Sequence, residues 1–144
     1  MYLVDTDVIS AAAPAKRRTP ELADWMDRHS ARLYLSAVTI AEIEDGIAKA
    51  RREGAGRKAA ALAQWLDVLL HLYAERVLAF DVAAAHIAGR LSDLARSKGQ
   101  SPGFADIAIA ATAKAHGLTV LTRNLKRFAV FGVAAHDPFR TLPG

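Results

Sequence analysis

The residue with the clearest chemical meaning in this sequence is Asp106, an acid set among apolar residues in the run 104–111. If that run is helical, Ile109, Ala110 and Ala113 share its face, so the carboxylate points to where the helix packs. A buried carboxylate without a partner costs several kcal/mol. We therefore expect a compensating metal ion, an arginine partner or a capping role.

Two further acids have similarly apolar surroundings, which favours the metal ion. Asp5 follows the short strand-like run 2–4, and Glu42 lies in the run 36–43. The carboxyl end of a strand is where open α/β sheets place ligands. Three convergent carboxylates without a matching cation predict a site for Mg²⁺ or Mn²⁺, since these ions prefer oxygen ligands.

Length and composition predict one globular α/β domain spanning residues 1–144, with 52% hydrophobic and 24% charged residues. The sequence lacks a long apolar run and the features of a signal peptide, so we expect a cytoplasmic protein without membrane association. The absence of cysteine excludes disulfides and thiolate zinc sites. The five histidines are scattered and receive no role.

The formal net charge of +4 favours a polyanionic partner. Arg123, Lys126 and Arg127 follow a predicted strand, and in a parallel sheet they would lie beside the acids. We expect them to form a basic rim that binds a phosphodiester backbone. Three other basic clusters are Lys16-Arg17-Arg18, Arg51-Arg52 and Arg57-Lys58. A solvated face explains the second and third of these equally well.

Hydrophobic periodicity predicts strands that alternate with helices. The predicted strands are 2–4, 33–35, 77–80 and 118–122, and the predicted helices are 20–30, 38–53, 57–74, 82–97 and one from about 104 that ends at Gly117. Such alternation indicates a mainly parallel sheet with helices on both faces. The helix 57–74 is apolar around most of its circumference, which predicts either deep burial or a protein interface.

The opening run Asp5-Thr6-Asp7-Val8 matches, by itself, phosphatases of the haloacid dehalogenase type. In those enzymes the first aspartate attacks phosphate and the second acts as acid and base. They also need a pair of acids for Mg²⁺ after a late strand. Here the late strand ends in the run 122–124, which is Thr-Arg-Asn, so this alternative is disfavoured.

Four segments taken together, in order along the whole chain, resemble the PIN-domain ribonucleases. They are LVDTDVIS at 3–10, SAVTIAEIEDGI at 36–47, FADIAIAATA at 104–113 and LTRNLKRF at 121–128. More narrowly, they resemble VapC-type toxins of bacterial toxin–antitoxin pairs, near the FitB-like branch. The resemblance implies a PIN-like three-layer sandwich, a homodimer and a cognate VapB-type antitoxin.

By position, the resemblance implies that Asp5, Glu42 and Asp106 bind Mg²⁺ or Mn²⁺. Asn124 falls where the family has a fourth polar ligand. The sequence departs from the family at Asp7, where asparagine is common, and at Arg127, where an acid is common. Because less negative charge remains, we expect one firmly held ion in the free protein.

Three residues beside the predicted ligands are expected to support them. Thr6 and Thr122 would hydrogen-bond to a ligand or to the attacking water. For Asp7 we expect a helix-capping role in preference to metal ligation.

The implied chemistry is hydrolysis of an RNA phosphodiester, in which Asp5 and Asp106 hold the metal and Glu42 orients or deprotonates water. RNA as the substrate rests on the family resemblance. The alternative is a non-catalytic PIN relic that binds RNA or antitoxin, which Asn124 and Arg127 favour. An apolar antitoxin-binding groove is expected along residues of two helices, namely Ile43, Ile47, Leu62, Trp65 and Leu69.

Overall fold

The computed structural model describes residues 1–14 and 19–144, and the basic cluster at 16–18 lies outside them. Within the described residues, five short strands form one sheet in the order β3-β2-β1-β4-β5, and every neighbouring pair is parallel. The strands are β1 (Tyr2–Val4), β2 (Leu33–Ser36), β3 (Val77–Leu78), β4 (Thr119–Leu121) and β5 (Ala135–His136).

Seven α-helices connect and cover these strands in the described part of the chain. They are α1 (Thr6–Ser10), α2 (Pro20–Arg28), α3 (Ala37–Arg52), α4 (Gly56–Tyr73), α5 (Val82–Ser97), α6 (Phe104–His116) and α7 (Leu125–Ala129). None of these helices is both long and apolar enough to cross a membrane.

The helix ends follow local capping chemistry. The Ser36 hydroxyl accepts the Val38 backbone N–H at 3.0 Å before α3, and the Asp81 carboxylate accepts the Ala84 N–H at 2.9 Å before α5. Gly117 ends α6 in the left-handed conformation, with φ of 65°, which a side chain would oppose. The predicted Asp81 and Gly117 boundaries are therefore confirmed.

Adjacent residues of each strand point to opposite faces of the sheet, and helices bury both faces. Val4 and Leu121 pack into one apolar cluster with α2, α3 and α4. Leu3 and Val120 pack into the other, with α5, α6 and α7. The predicted α/β three-layer sandwich is thus confirmed, and the last two residues of each central strand are apolar and buried because helices cover both faces.

Helix α4 buries one face and leaves part of its apolar surface in solvent. Leu66 is 2% exposed in the core, whereas Val68 is 57% and Leu72 is 62% exposed. The apolar circumference predicted from the sequence therefore belongs to a half-buried helix. Exposed apolar side chains on one helix face are typical of a surface that binds a partner.

Two aliphatic residues of α4 provide a direct test of this packing. Leu66→Ala should lower the free energy of unfolding by about 2–5 kcal/mol, because it leaves a cavity in the core. Leu72→Ala, the matched control, should change it by less than about 0.5 kcal/mol. Urea denaturation followed by circular dichroism measures both, and equal losses would contradict the described orientation of α4.

Candidate active site

The site forms at the carboxyl edge of the two central strands. Asp5 follows β1 and Thr122 follows the neighbouring β4, so parallel pairing brings both residues to one edge. The Asp5 backbone N–H donates to the Leu121 carbonyl at 2.9 Å, which continues the ladder to the acid itself. The Thr122 hydroxyl donates to Asp5 Oδ2, also at 2.9 Å. Asp5 is almost fully buried.

The other Asp5 oxygen begins helix α1. Asp5 Oδ1 accepts the Thr6 N–H at 2.9 Å, so the cap of α1 is Asp5. The expectation that Asp7 is the cap is therefore wrong, since Asp7 lies in the first turn of α1. Asp7 Oδ2 instead accepts the backbone N–H of Arg123 at 3.2 Å.

Arg127 joins the acids into one cluster. Its Nη2 lies 2.9 Å from Asp5 Oδ2 and 3.3 Å from Asp7 Oδ2, and its Nη1 lies 3.1 Å from Asp106 Oδ1. The expectation that the acids lack a matching cation is wrong, because this guanidinium supplies one. Arg127 was also expected at the rim of the acids, and the structure places it between them.

Glu42 lies beside the cluster on α3. Its Oε1 accepts a hydrogen bond from the Thr6 hydroxyl at 2.6 Å, and that hydroxyl is 3.0 Å from the Thr39 hydroxyl. Thr6, adjacent to Asp5 in sequence, thus connects α1 to α3 and orients Glu42. The supporting role predicted for Thr6 agrees with this contact.

The electrostatics of the cluster favour an added positive charge. Burial raises the pKa of Asp5 to about 6, and the Asp7 carboxylate adds to this rise, although Thr122 and Arg127 act against it. Burial also raises the pKa of Asp106, while Arg127 lowers it. These carboxylates are under-compensated even with Arg127 in contact, since both remain harder to ionise than an exposed aspartate.

The donor set suits a hard cation, although the acids surround a guanidinium. Within residues 1–14 and 19–144, no three acidic, histidine or cysteine side chains are grouped so that they can hold a metal ion. Asp5, Asp7 and Asp106 nevertheless offer oxygen donors of the type that Mg²⁺ and Mn²⁺ prefer. The donor atoms therefore suit such an ion by their chemistry, while in this arrangement the Arg127 guanidinium occupies the position between them.

An open cavity of about 480 Å³ adjoins the cluster. Asn124, whose N–H donates to the Thr122 hydroxyl at 3.1 Å, is one of its walls. Six of its lining residues are polar or charged: Gln100, Ser101, Asp106, Asn124, Lys126 and Arg127. Gln100 and Ser101 were not predicted at the site, although their position in the turn-rich loop immediately before the Asp106 helix was a usable signal.

Arg123 belongs to the other side of the cluster. Its guanidinium carbon lies 3.8 Å from the centroid of the Phe139 ring, which is a cation–π contact. It is absent from the lining of the cavity beside Asp106, whereas Lys126 is part of it. The three residues of the predicted basic rim therefore have three different surroundings.

A second, more apolar groove of about 470 Å³ lies between α1, α2 and α4. Trp65 and Leu69, both expected in a partner-binding groove, line it. Ile43 and Ile47 do not, because they are 7% and 2% exposed within the core under α3. Leu62 packs against the same core as a partly buried residue. An apolar groove therefore lies along α4 and not along α3, and its role as the antitoxin site stays a prediction.

Comparison with known proteins agrees with this architecture. A model of the PIN domain matches residues 2–132. The chain belongs to the PIN-domain family. It is 37% identical to toxin FitB of Neisseria gonorrhoeae, with 96% of this chain and 99% of the relative covered. It is also 37% identical to VapC ribonuclease Y4jK of Sinorhizobium fredii, with 96% and 98% covered.

A solved structure extends the similarity to three dimensions. This PIN domain superposes on the crystal structure of FitAcB from Neisseria gonorrhoeae with a TM-score of 0.83 and 37% identity. The superposition covers 96% of this chain and 99% of the other. The resemblance to the PIN-domain family seen in the four sequence segments is therefore confirmed.

The Thr122 hydroxyl links the two central strands at the acid cluster, and its removal tests that link. Thr122→Val should lower the free energy of unfolding by about 1–3 kcal/mol, because buried Asp5 Oδ2 and the Asn124 N–H both lose a partner. Thr119→Val, at the start of the strand that precedes Thr122, is the control and should change it by less than about 0.5 kcal/mol. If thermal and urea unfolding show no difference between the two variants, the described hydrogen bonds do not stabilise the site.

Proposed function

We propose that this single PIN domain is a metal-dependent ribonuclease, and that it is the toxin of a cytoplasmic toxin–antitoxin pair. The observation that carries the proposal is the convergence of Asp5, Asp7 and Asp106 on one positive group at the carboxyl edge of the central strands. Such a concentration of carboxylates, with Asp5 buried and Asp7 and Asp106 partly buried, opposes folding, which favours a chemical reason for it. The names of the relatives, VapC ribonuclease and toxin FitB, support the same reaction and biological setting.

The proposed ligands of one Mg²⁺ or Mn²⁺ ion are Asp5, Glu42 and Asp106, with Asn124 as a fourth polar group. When bound, the ion supplies Lewis acidity toward a phosphate oxygen and lowers the pKa of a coordinated water. Asp5 is the most strongly fixed of these residues, because the Thr6 N–H and the Thr122 hydroxyl orient its two oxygens. This fixed orientation is what a ligand of a catalytic ion requires.

Glu42 is the proposed general base. Its carboxylate is exposed, so it can receive a proton from an attacking water, and the 2.6 Å contact with Thr6 holds it beside the Asp5 turn. Attack by water on the phosphorus atom releases a 5′-phosphate and a 3′-hydroxyl. Sequencing the ends of the cleaved RNA tests this part of the proposal.

The proposed RNA path runs along the cavity beside Asp106. Lys126 and the polar groups of Gln100 and Ser101 line it, and the net charge of +4 favours an anionic ligand. Arg123 is proposed to contact the RNA backbone on the other side of the acid cluster. The expected contact between Arg127 and RNA stays a prediction. In the structure its guanidinium contacts Asp5 and Asp106 instead.

The proposed antitoxin site is the groove between α1, α2 and α4. Trp65 and Leu69 line it and the exposed Val68 and Leu72 adjoin them, so it suits an apolar segment of a VapB-type partner. The similarity to the solved structure FitAcB supports a partner-bound state of this chain, and that support comes only from the name of the structure. The homodimer is proposed from the family resemblance.

A second candidate is a PIN relic that binds RNA or antitoxin without cleaving RNA. The observation in its favour is Arg127, which neutralises part of the charge that a metal ion would otherwise meet. The phosphatase alternative is left without support, since Asp7 pairs with Arg127 and the segment after β4 supplies no pair of acids.

Asparagine substitutions separate catalysis from a relic. Asp5→Asn and Asp106→Asn should each reduce cleavage of a labelled RNA more than about a hundredfold, and the double variant should be no worse than the worse single, because the acids act as one unit. Asp93→Asn, an exposed acid on α5, is the control and should leave the rate unchanged. Chelation of divalent ions should abolish the reaction. A wild-type protein that cleaves no RNA with Mg²⁺ or Mn²⁺ would establish the relic instead.

Neutralising Lys126 tests the RNA path. Lys126→Gln should raise the KM for RNA and reduce the slope of log affinity against log salt by about 0.7, as expected for one lost phosphate contact. Lys114→Gln, an exposed lysine near the end of α6, should leave the slope unchanged. An identical slope in both variants would remove Lys126 from the path.

A further inference from the structure

Arg127 is a cation held by the same carboxylates that the proposed function assigns to a metal ion. Its two terminal nitrogens contact Asp5 and Asp106 at 2.9 and 3.1 Å, and one of them also contacts Asp7 at 3.3 Å. The 2.9 Å contact with Asp5 has the length of a strong charge-assisted hydrogen bond, and the other two contacts are longer. Two of the proposed ligands, Asp5 and Asp106, are therefore engaged by one side chain of the protein itself.

The guanidinium and a divalent ion would compete for the same oxygens. An Mg²⁺ ion binds carboxylate oxygens at about 2.0–2.1 Å. An ion at that distance from Asp5 Oδ2 would lie next to Arg127 Nη2, which is bound to the same oxygen. Two cations so close in a poorly solvated site repel each other strongly.

Arg127 also has room to move. Its side chain is 37% exposed, and its Nε has no hydrogen-bond partner among the described residues, so its hydrogen bonds come from the two terminal nitrogens alone. Its guanidinium carbon also lies 5.7 Å from the centroid of the Phe128 ring, within the range of a cation–π contact. Arg127 itself lines the adjoining cavity of about 480 Å³. Gln100, Ser101 and Asn124 line that space as well, and residues of these types have side-chain oxygens that can accept hydrogen bonds from a guanidinium.

We propose that Arg127 is an internal counter-ion that a divalent cation must displace, so that metal binding at Asp5 and Asp106 turns the guanidinium out toward the adjoining cavity. The identity of the two ligands rests on the proposed function. The displacement itself follows from the three contacts and from the space beside them. In the metal-free protein, Arg127 stabilises the folded acid cluster, and during metal binding it is a competitor.

Calorimetric titration with MgCl₂ and with MnCl₂, in the absence of RNA, tests the competition. Arg127→Gln should tighten the apparent metal affinity about tenfold or more relative to the wild type. Arg96→Gln lowers the net charge by the same amount from an exposed pair on α5, and it should change the affinity by less than about twofold. Arg127→Lys keeps the charge but loses the two-nitrogen bridge, so its affinity should lie between those of wild type and Arg127→Gln.

Melting temperature gives a second reading of the same equilibrium. Metal-free Arg127→Gln should melt below the wild type, because three carboxylates lose their counter-ion, and saturating Mg²⁺ should raise its melting temperature more than that of the wild type. An Arg127→Gln protein that melts as the wild type does, and gains no more from Mg²⁺, would overturn the proposal.

Nuclear magnetic resonance of the wild-type guanidinium groups needs no folded Gln variant. Arg127→Lys identifies the Arg127 signals by their loss. In the metal-free protein, the Arg127 guanidinium should rotate slowly because two nitrogens are held, and Mg²⁺ should release this restriction. Stoichiometric Mg²⁺ binding with unchanged Arg127 signals would overturn displacement.

The outcomes separate this proposal from the ribonuclease proposal. Equal metal affinity in wild type and Arg127→Gln overturns displacement, while metal-dependent RNA cleavage by the wild type would still support the nuclease. Tighter metal binding in Arg127→Gln supports displacement even if no RNA is cleaved, and the nuclease proposal would then fail alone. Absence of metal binding in both proteins overturns displacement.

Discussion

Mutual repulsion among carboxylates at the edge of β1 and β4 is the constraint on which the site depends. Asp5 is fixed there by the sheet, and Asp7 and Asp106 arrive at the first turns of α1 and α6. The Thr122 hydroxyl, which donates a hydrogen bond to Asp5, and the Arg127 guanidinium of α7 offset this repulsion. The last helix is therefore electrostatically tied to the first strand, and the cluster depends on both.

Much of the architecture is predictable because strong local signals coincide with the global fold. Asp81 marks the start of α5 and Gly117 marks the end of α6. The largely apolar strands β1 and β4 predict a sheet that is covered on both faces. Helices α1 and α7, with five residues each, and β5, with two, were missed. A helix of five residues has fewer than two turns, and a strand of two residues has a single alternation, so neither shows a periodicity in its sequence.

The failures at the site and at the groove have one cause, which is that residue type does not give side-chain direction. Arg127 was recognised as a basic residue beside the acids, yet only the packing of α7 shows that its long side chain turns inward. Ile43 and Ile47 are as apolar as Trp65 and Leu69, and tertiary packing alone decides which pair lines a groove. Asp5 and Asp106 were identifiable because an isolated acid among apolar residues conflicts with its own surroundings.

The acid cluster joins residues 122 positions apart in the chain, because Arg127 pairs with Asp5. During synthesis the amino-terminal strand leaves the ribosome long before β4 and α7 do, and domains can begin to fold from the amino terminus. A growing chain therefore contains Asp5 and Asp7 while their partners Thr122 and Arg127 are still unmade. The acid cluster is consequently completed only after β4 and α7 have been made, so chains truncated before β4 should lack both contacts that Asp5 Oδ2 makes.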